Sequence, residues 1–177
     1  MVEGTHVALR AIERDDLTQL LEWRNDPDYR RFFREYRELN MEQQTRWFED
    51  VVIADPRTRM FAISRRADDG LLGACGLCLI DPVNRSADLS IYIGADGVYI
   101  DDTLAPEAAR LLIRYGFEEL GLHRIWAEIY EFDAAKRGLF EALGFHLDGR
   151  HREAHFGDGR WHDALFYGLL EGEFNRP

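Results

Sequence analysis

Four groups of side chains in this 177-residue chain have types and spacings that chemistry uses. Cys75 and Cys78 form a Cys-x-x-Cys pair, the spacing of redox exchange and of zinc sites. They lie inside the apolar run LLGACGLCLI, which has the pattern of a buried strand. A redox pair opens a helix, and a structural zinc would need two further ligands, so two inert core thiols are the expectation. Near the end, Arg150, His151, Arg152, His155, Arg160 and His162 are numerous enough to suggest a metal. Alternation along strands sends such residues to two faces, so no metal is assigned.

Two carboxylates form the third group. Glu128 alternates with Trp126 and Tyr130, opposite Ile125, Ala127 and Ile129, which marks a polar or cleft-facing side of a strand. A carboxylate there suits proton transfer, and a surface cross-strand charge is the competing reading. Asp88, on another strand-like run, carries the same two readings. The fourth group, Arg30, Arg31, Arg34 and Arg37, is a basic cluster within RRFFREYR and reads as a solvated helix face rather than an anion site.

The elements that must position these groups can be followed along the chain. A strand over His6 to Ile12 leads into a helix carrying Leu17, Leu20 and Leu21 behind an acidic first turn, and Pro27 closes it. Asn40 and Gln43 make a capping-box pattern for a second helix, expected to end before Pro56. Arg59 to Arg65, Leu71 to Ile80 and Ala87 to Ile93 read as an antiparallel meander. After the irregular ADGVYIDDTL, a helix is expected over Ala105 to Gly121, with Pro106 in its first turn. A strand over Arg124 to Tyr130 follows, then a helix from N-cap Asp133 to Leu143, stopped by Gly144. Two strands flank Gly157-Asp158-Gly159. The result is one mixed α/β domain over residues 1–177, with helices on both faces of the sheet.

Composition narrows the function. With 33 acidic and 22 basic residues the formal charge is −11, which disfavours broad attraction to nucleic acid or anionic membrane. The first residues lack a basic segment followed by an apolar one, and no apolar stretch approaches spanning length, so a cytoplasmic protein is expected.

Three segments, VALRAIERDDLTQLLEWRND, EAARLLIRYGFEELGLHRIWAEIYEFD and LFEALGFHLDGRHREAHFGDGRWHDALFYGLL, together with LSIYIG, resemble the GNAT superfamily of N-acetyltransferases. The resemblance runs nearly end to end and is strongest to the branch that includes ribosomal-protein-alanine acetyltransferases. It implies a GNAT fold: a mixed, mostly antiparallel sheet of about seven strands, splayed in the middle. It also implies acetyl-CoA in the V-shaped gap and an acceptor that is a small-molecule amine or a peptide N-terminus.

Carried over residue by residue, the resemblance implies that backbone groups of Ile91, Tyr92 and Ile93 line the pantetheine. The diphosphate would sit at Thr103, Leu104, Ala105 and Pro106, and Asp133 and Phe140 would take the positions of a cofactor-binding Asn and a proton-donating Tyr. Glu128 and Asp88 are then the catalytic candidates, and Trp23, Arg24, Asn25 and Tyr130 line the acceptor side. The pattern departs from the family where Ile100 replaces a polar or basic residue and Thr103 a glycine. Asp101 and Asp102 would face a dianion, and Phe140 has no proton to give. Two readings follow: an acyl-CoA-dependent N-acetyltransferase binding its coenzyme weakly, and a GNAT-fold module that has lost the coenzyme and works by binding another ligand or partner. A homodimer belongs to either reading.

Overall fold

Alternation of apolar residues along the strand-like runs becomes a single eight-stranded sheet in the computed structural model, which describes residues 1–174. In chain order the elements are β1 (Val2–Glu3), β2 (Val7–Arg10), α1 (Leu17–Asn25), α2 (Pro27–Arg30), α3 (Met41–Trp47), β3 (Arg59–Arg65), β4 (Leu71–Asp81), β5 (Ser86–Ile93), α4 (Leu104–Glu118), β6 (Arg124–Tyr130), α5 (Ala134–Ala142), β7 (His146–Gly157) and β8 (Arg160–Leu170). A wide turn of π type over Phe48–Ile53 prolongs α3.

Spatial order in the sheet is β1-β2-β3-β4-β5-β6-β8-β7. The strand beyond the expected seven is β1, whose Val2 and Glu3 pair with Leu9 and Ala8. Neighbours are antiparallel except β5 and β6, which run parallel. That pair is the hinge of the architecture. β5 and β6 meet only at Ser86 with Arg124, Ala87 with Ile125 and Asp88 with Trp126. Beyond these positions β5 continues on β4 as far as Ile93 opposite Gly73, and β6 continues on β8 as far as Tyr130 opposite Ala164. The sheet therefore opens into a V just past Asp88, as the resemblance implied.

Each face of the sheet carries its own core. Ile91, Ile93, Ile125, Ala127 and Ile129 pack under α4 and α5 with Leu112, Phe117, Leu139 and Phe140. Ala62, Ala74 and Tyr92 pack on the other face with Leu17, Leu20, Tyr29 and Phe48 from the first helices. With a period of two, placing Ile125, Ala127 and Ile129 in the first core forces Trp126, Glu128 and Tyr130 onto the second face.

Local signals set most of the ends. The Asn40 side chain accepts from Gln43 N–H at 2.9 Å and Gln43 returns the bond at 3.0 Å, so the capping box forms. Gly144 has φ +89, the left-handed value that ends α5. Pro27 does more than close α1. Asp26 breaks the helix, its carboxylate accepts from Asp28 N–H at 2.9 Å, and Pro27 becomes the first residue of α2.

Candidate active site

Where β5 and β6 part, Arg34 joins their two carboxylates. Its Nη1 lies 2.7 Å from Asp88 Oδ2, and its Nε lies 3.1 Å from Glu128 Oε2. Asp88 is buried at 4% exposure, while Arg34 is half-exposed and roofs the pair from the solvent side. Burial raises the Asp88 carboxyl above the ordinary carboxylate range, and the Arg34 guanidinium opposes that rise. Two carboxylates share one guanidinium, and Lys136 adds a weaker attraction on Asp88.

Beside it lies Lys136, on the first turn of α5. Its residue is 9% exposed, and among the described residues its Nζ forms no ion pair with a carboxylate. The ammonium instead stands 5.3 Å from the Tyr99 ring centre and 6.0 Å from that of Phe33. Burial lowers its pKa, against the attraction of Asp133 and Asp88. Asp133 is itself occupied as the cap of α5: it accepts from Lys136 N–H at 3.0 Å and from the Tyr99 hydroxyl at 3.1 Å. Arg24, Arg34, Asp88, Glu128 and Lys136 line one cavity of about 250 Å³.

An aromatic cover closes the V from the α2 side. Phe32 stacks on Tyr99 with centres 4.6 Å apart, and Phe33 meets Tyr92 edge-on at 5.3 Å. This segment is anchored by Asn25, whose side chain exchanges two hydrogen bonds with the Leu39 backbone at 2.7 and 2.8 Å. The Arg24 guanidinium lies 4.9 Å from the Phe33 ring centre. Trp23 packs against Gly94 at the end of β5, where a Cβ would fall inside the indole, so only glycine fits there. Tyr130 stacks on His155 at 3.9 Å beside the β7–β8 hairpin, and it lies near enough to Glu128 and Arg34 to feel their charges.

The expected donor-side residues are placed as follows. Ile91 and Ile93 turn their side chains into the core, and Tyr92 is buried on the opposite face. Ile93 N–H, directed away from β4, is already bonded to the Tyr99 carbonyl at 2.8 Å. Phe140 is 1% exposed and packs against Phe145 and Tyr167, away from the cavity. Ala105 is buried, Leu104 and Pro106 are half-buried, and Thr103 is exposed with no capping bond from its side chain.

At the amino end of α4 three N–H groups converge, those of Thr103, Leu104 and Ala105. Such a convergence is a natural anion site. Here all three donate to the Asp101 carboxylate, at 3.1, 2.7 and 2.7 Å. In this arrangement the residues do not fit a diphosphate, because the donors it would use are held by the chain's own anion.

Arg34, Lys136 and Tyr99 complete the site without having been foreseen as members of it. Arg34 lies 54 and 94 residues from its two partners, a distance no local pattern bridges. Lys136 did leave a signal: a cation in the first turn of a helix stands at the end where the dipole disfavours it.

Comparison with known proteins places this geometry. Residues 6–146 match the family model described as an acetyltransferase (GNAT) domain. A relative described as the uncharacterized N-acetyltransferase p20 of Bacillus licheniformis is 25% identical over 170 residues, which cover 95% of this chain and 94% of the relative. The spermidine N(1)-acetyltransferase of Escherichia coli K12 is 28% identical over 175 residues, covering 98% and 91%. Among solved structures, the spermidine N-acetyltransferase of Vibrio cholerae in complex with CoA and spermine superposes with a TM-score of 0.87 at 23% identity, covering 96% of this chain and 98% of that one.

Proposed function

The chain belongs to the GNAT acetyltransferase family, and from that premise we propose that it transfers an acetyl group from acetyl-CoA to the primary amine of a small molecule or a peptide N-terminus. Acetyl-CoA, when bound, supplies the activated acyl carbon. The chain's residues act on the acceptor. The observation that supports this reading is the Asp88–Arg34–Glu128 cluster at the parting of β5 and β6.

An amine attacks only as the free base, so the site must draw an ammonium in and take a proton from it. Glu128, the more exposed of the two carboxylates, supplies the charge that attracts the ammonium. Asp88, buried and with its basicity raised, is the group placed to accept the proton. Arg34 is a positioning residue: it fixes both carboxylates and tempers the rise in the Asp88 pKa.

Relatives described as spermidine acetyltransferases support a small amine as acceptor. The test is a coupled assay of thiol release from acetyl-CoA over a panel of primary amines. Acetylated product identified by mass, and lost in Asp88→Asn, supports the assignment. Absence of product across the panel refutes it.

A further inference from the structure

Lys136, Arg24 and Gln44 form a set of side-chain hydrogen-bond donors around the acceptor side whose capacity is not used among the described residues. Lys136 is buried, yet its Nζ has no carboxylate within ion-pair distance among the described residues. Arg24 faces the Phe33 ring and makes no ion pair among them. Gln44, on α3, is 1% exposed, and its Nε2 is one of two buried side-chain polar atoms without a hydrogen-bond partner in the described structure. A buried donor left unpaired is costly, so the Gln44 amide, standing with the unpaired cations Lys136 and half-buried Arg24 beside one space, is informative.

The space is continuous in its lining. The cavity of about 250 Å³ that holds Asp88, Glu128 and Lys136 shares Arg24 and Glu35 with a neighbouring cavity of about 320 Å³ that holds Gln44. Glu35 is engaged mainly by Arg37, which binds both of its oxygens at 2.8 and 2.6 Å and holds its pKa down at about 2, with Arg24 adding only a weaker attraction. Asp133 is likewise spent on Tyr99 and on the first turn of α5. The two carboxylates that Arg34 joins stand at the parting of the strands, and free donors lie around them and towards α3.

Resting on the acetyltransferase reading above, we infer that the acceptor is a small zwitterion, an amine that also carries a carboxylate, as in an amino acid or short peptide. Its amine end lies at Asp88 and Glu128, and its carboxylate lies at Arg24, within the field of Lys136 and towards Gln44. A polyamine answers only half of this arrangement. Its second cation would meet Arg24 and Lys136, with like-charge repulsion and no acceptor for their N–H groups.

The experiment compares matched acceptors that differ in one end group: 6-aminohexanoate, hexylamine and 1,6-diaminohexane, with glycine and methylamine as the short pair. Thiol release gives kcat/KM for each. The carboxylate member of each pair is expected to exceed its alkylamine about tenfold or more, and the diamine to be the poorest of the long set. Arg24→Gln and Lys136→Met are each expected to shrink that ratio within the same variant. Preference for the diamine, or a ratio untouched by both substitutions, overturns the inference while leaving the acetyltransferase assignment standing. Should no amine be acetylated, the assignment itself fails. A thermal shift then decides the inference: stabilisation by 6-aminohexanoate and not by hexylamine upholds it, and equal or no stabilisation overturns it.

Discussion

Asp101 Oδ1 accepts a hydrogen bond from the backbone N–H of Ala105 at 2.7 Å, while its other oxygen takes those of Leu104 and Thr103. One side chain thus fills the position where the start of a long helix would hold an external anion. The same N–H groups cannot serve two acceptors at full strength, so the Asp101 cap and a diphosphate exclude one another. A diphosphate at this helix start would compete with Asp101 for those donors.

Asp101→Gly should therefore tighten acetyl-CoA binding. Removal of a like charge at close range corresponds to about one to two decades in affinity once screening is allowed for. The same change deletes the cap of α4, so without ligand the variant should melt lower, by about 1 kcal/mol of stability. Calorimetry and melting curves with and without acetyl-CoA check both halves. Binding that is equal to the parent's or poorer would show that the carboxylate is no competitor.

The acid limb of the activity profile should follow Asp88. A general base works when deprotonated, so activity rises with pH through its pKa, which burial sets above the ordinary carboxylate range. Arg34→Gln removes the cation that restrains this rise, and the limb should then move to higher pH. Asp88→Asn should lose about a hundredfold or more in kcat with no limb left to move. A profile of kcat/KM against pH for the three proteins is the measurement, and an acid limb unmoved in Arg34→Gln would remove Arg34 from its positioning role.

Much of this arrangement was legible in the chain, and the parts that were not share a cause. Strand limits such as Arg59–Arg65 and Arg124–Tyr130 followed from alternation, and the helix ends at Asn40 and Gly144 followed from residues whose side chains or φ values act locally. Period alone put Glu128 on a polar or cleft-facing side and left a surface cross-strand charge as the competing reading; in the structure it lies beside Asp88 through Arg34. Arg34 itself read as part of a solvated basic face, because composition reports charge and cannot report a partner 94 residues away. Asp101 and Asp102 were both expected to oppose a diphosphate from outside. Only Asp101 takes the site, which needed the fold of the turn before α4 to be known.

Cys75 and Cys78 should behave as packing residues. Burial pushes the Cys78 thiol up to about 11 and raises Cys75 further, while the Cys78 sulfur rests 3.8 Å from that of Met60. At neutral pH the thiolate fraction of Cys78 is then about one part in ten thousand. Iodoacetamide should leave both unlabelled in the folded protein and label both in denaturant, as intact mass will show. Rapid labelling of Cys75 in the folded state would contradict its burial, and rapid labelling of Cys78, half-buried in the lining of the Asp88 cavity, would contradict its raised pKa.

Lys136→Met gives the sharpest separation of a functional from a structural role. The folded-state pKa of Lys136 lies below its ordinary value of 10.5 because burial disfavours the ammonium. Between the folded and unfolded values the unfolded chain binds more protons, so stability rises with pH through that window, and the full penalty is present below it. At neutral pH the lysine therefore costs stability, and an apolar side chain of similar length should raise the melting temperature by a few degrees, about 1 kcal/mol in a protein of this size. The gain over the parent should narrow as the pH approaches 10.5. A residue kept only for packing would give that gain without loss, whereas one that binds the acceptor should surrender the preference for carboxylate-bearing amines as the protein becomes more stable. Melting curves at several pH values, set beside acceptor preference, make the comparison, and a variant less stable at neutral pH would show that Lys136 is already well compensated in the fold.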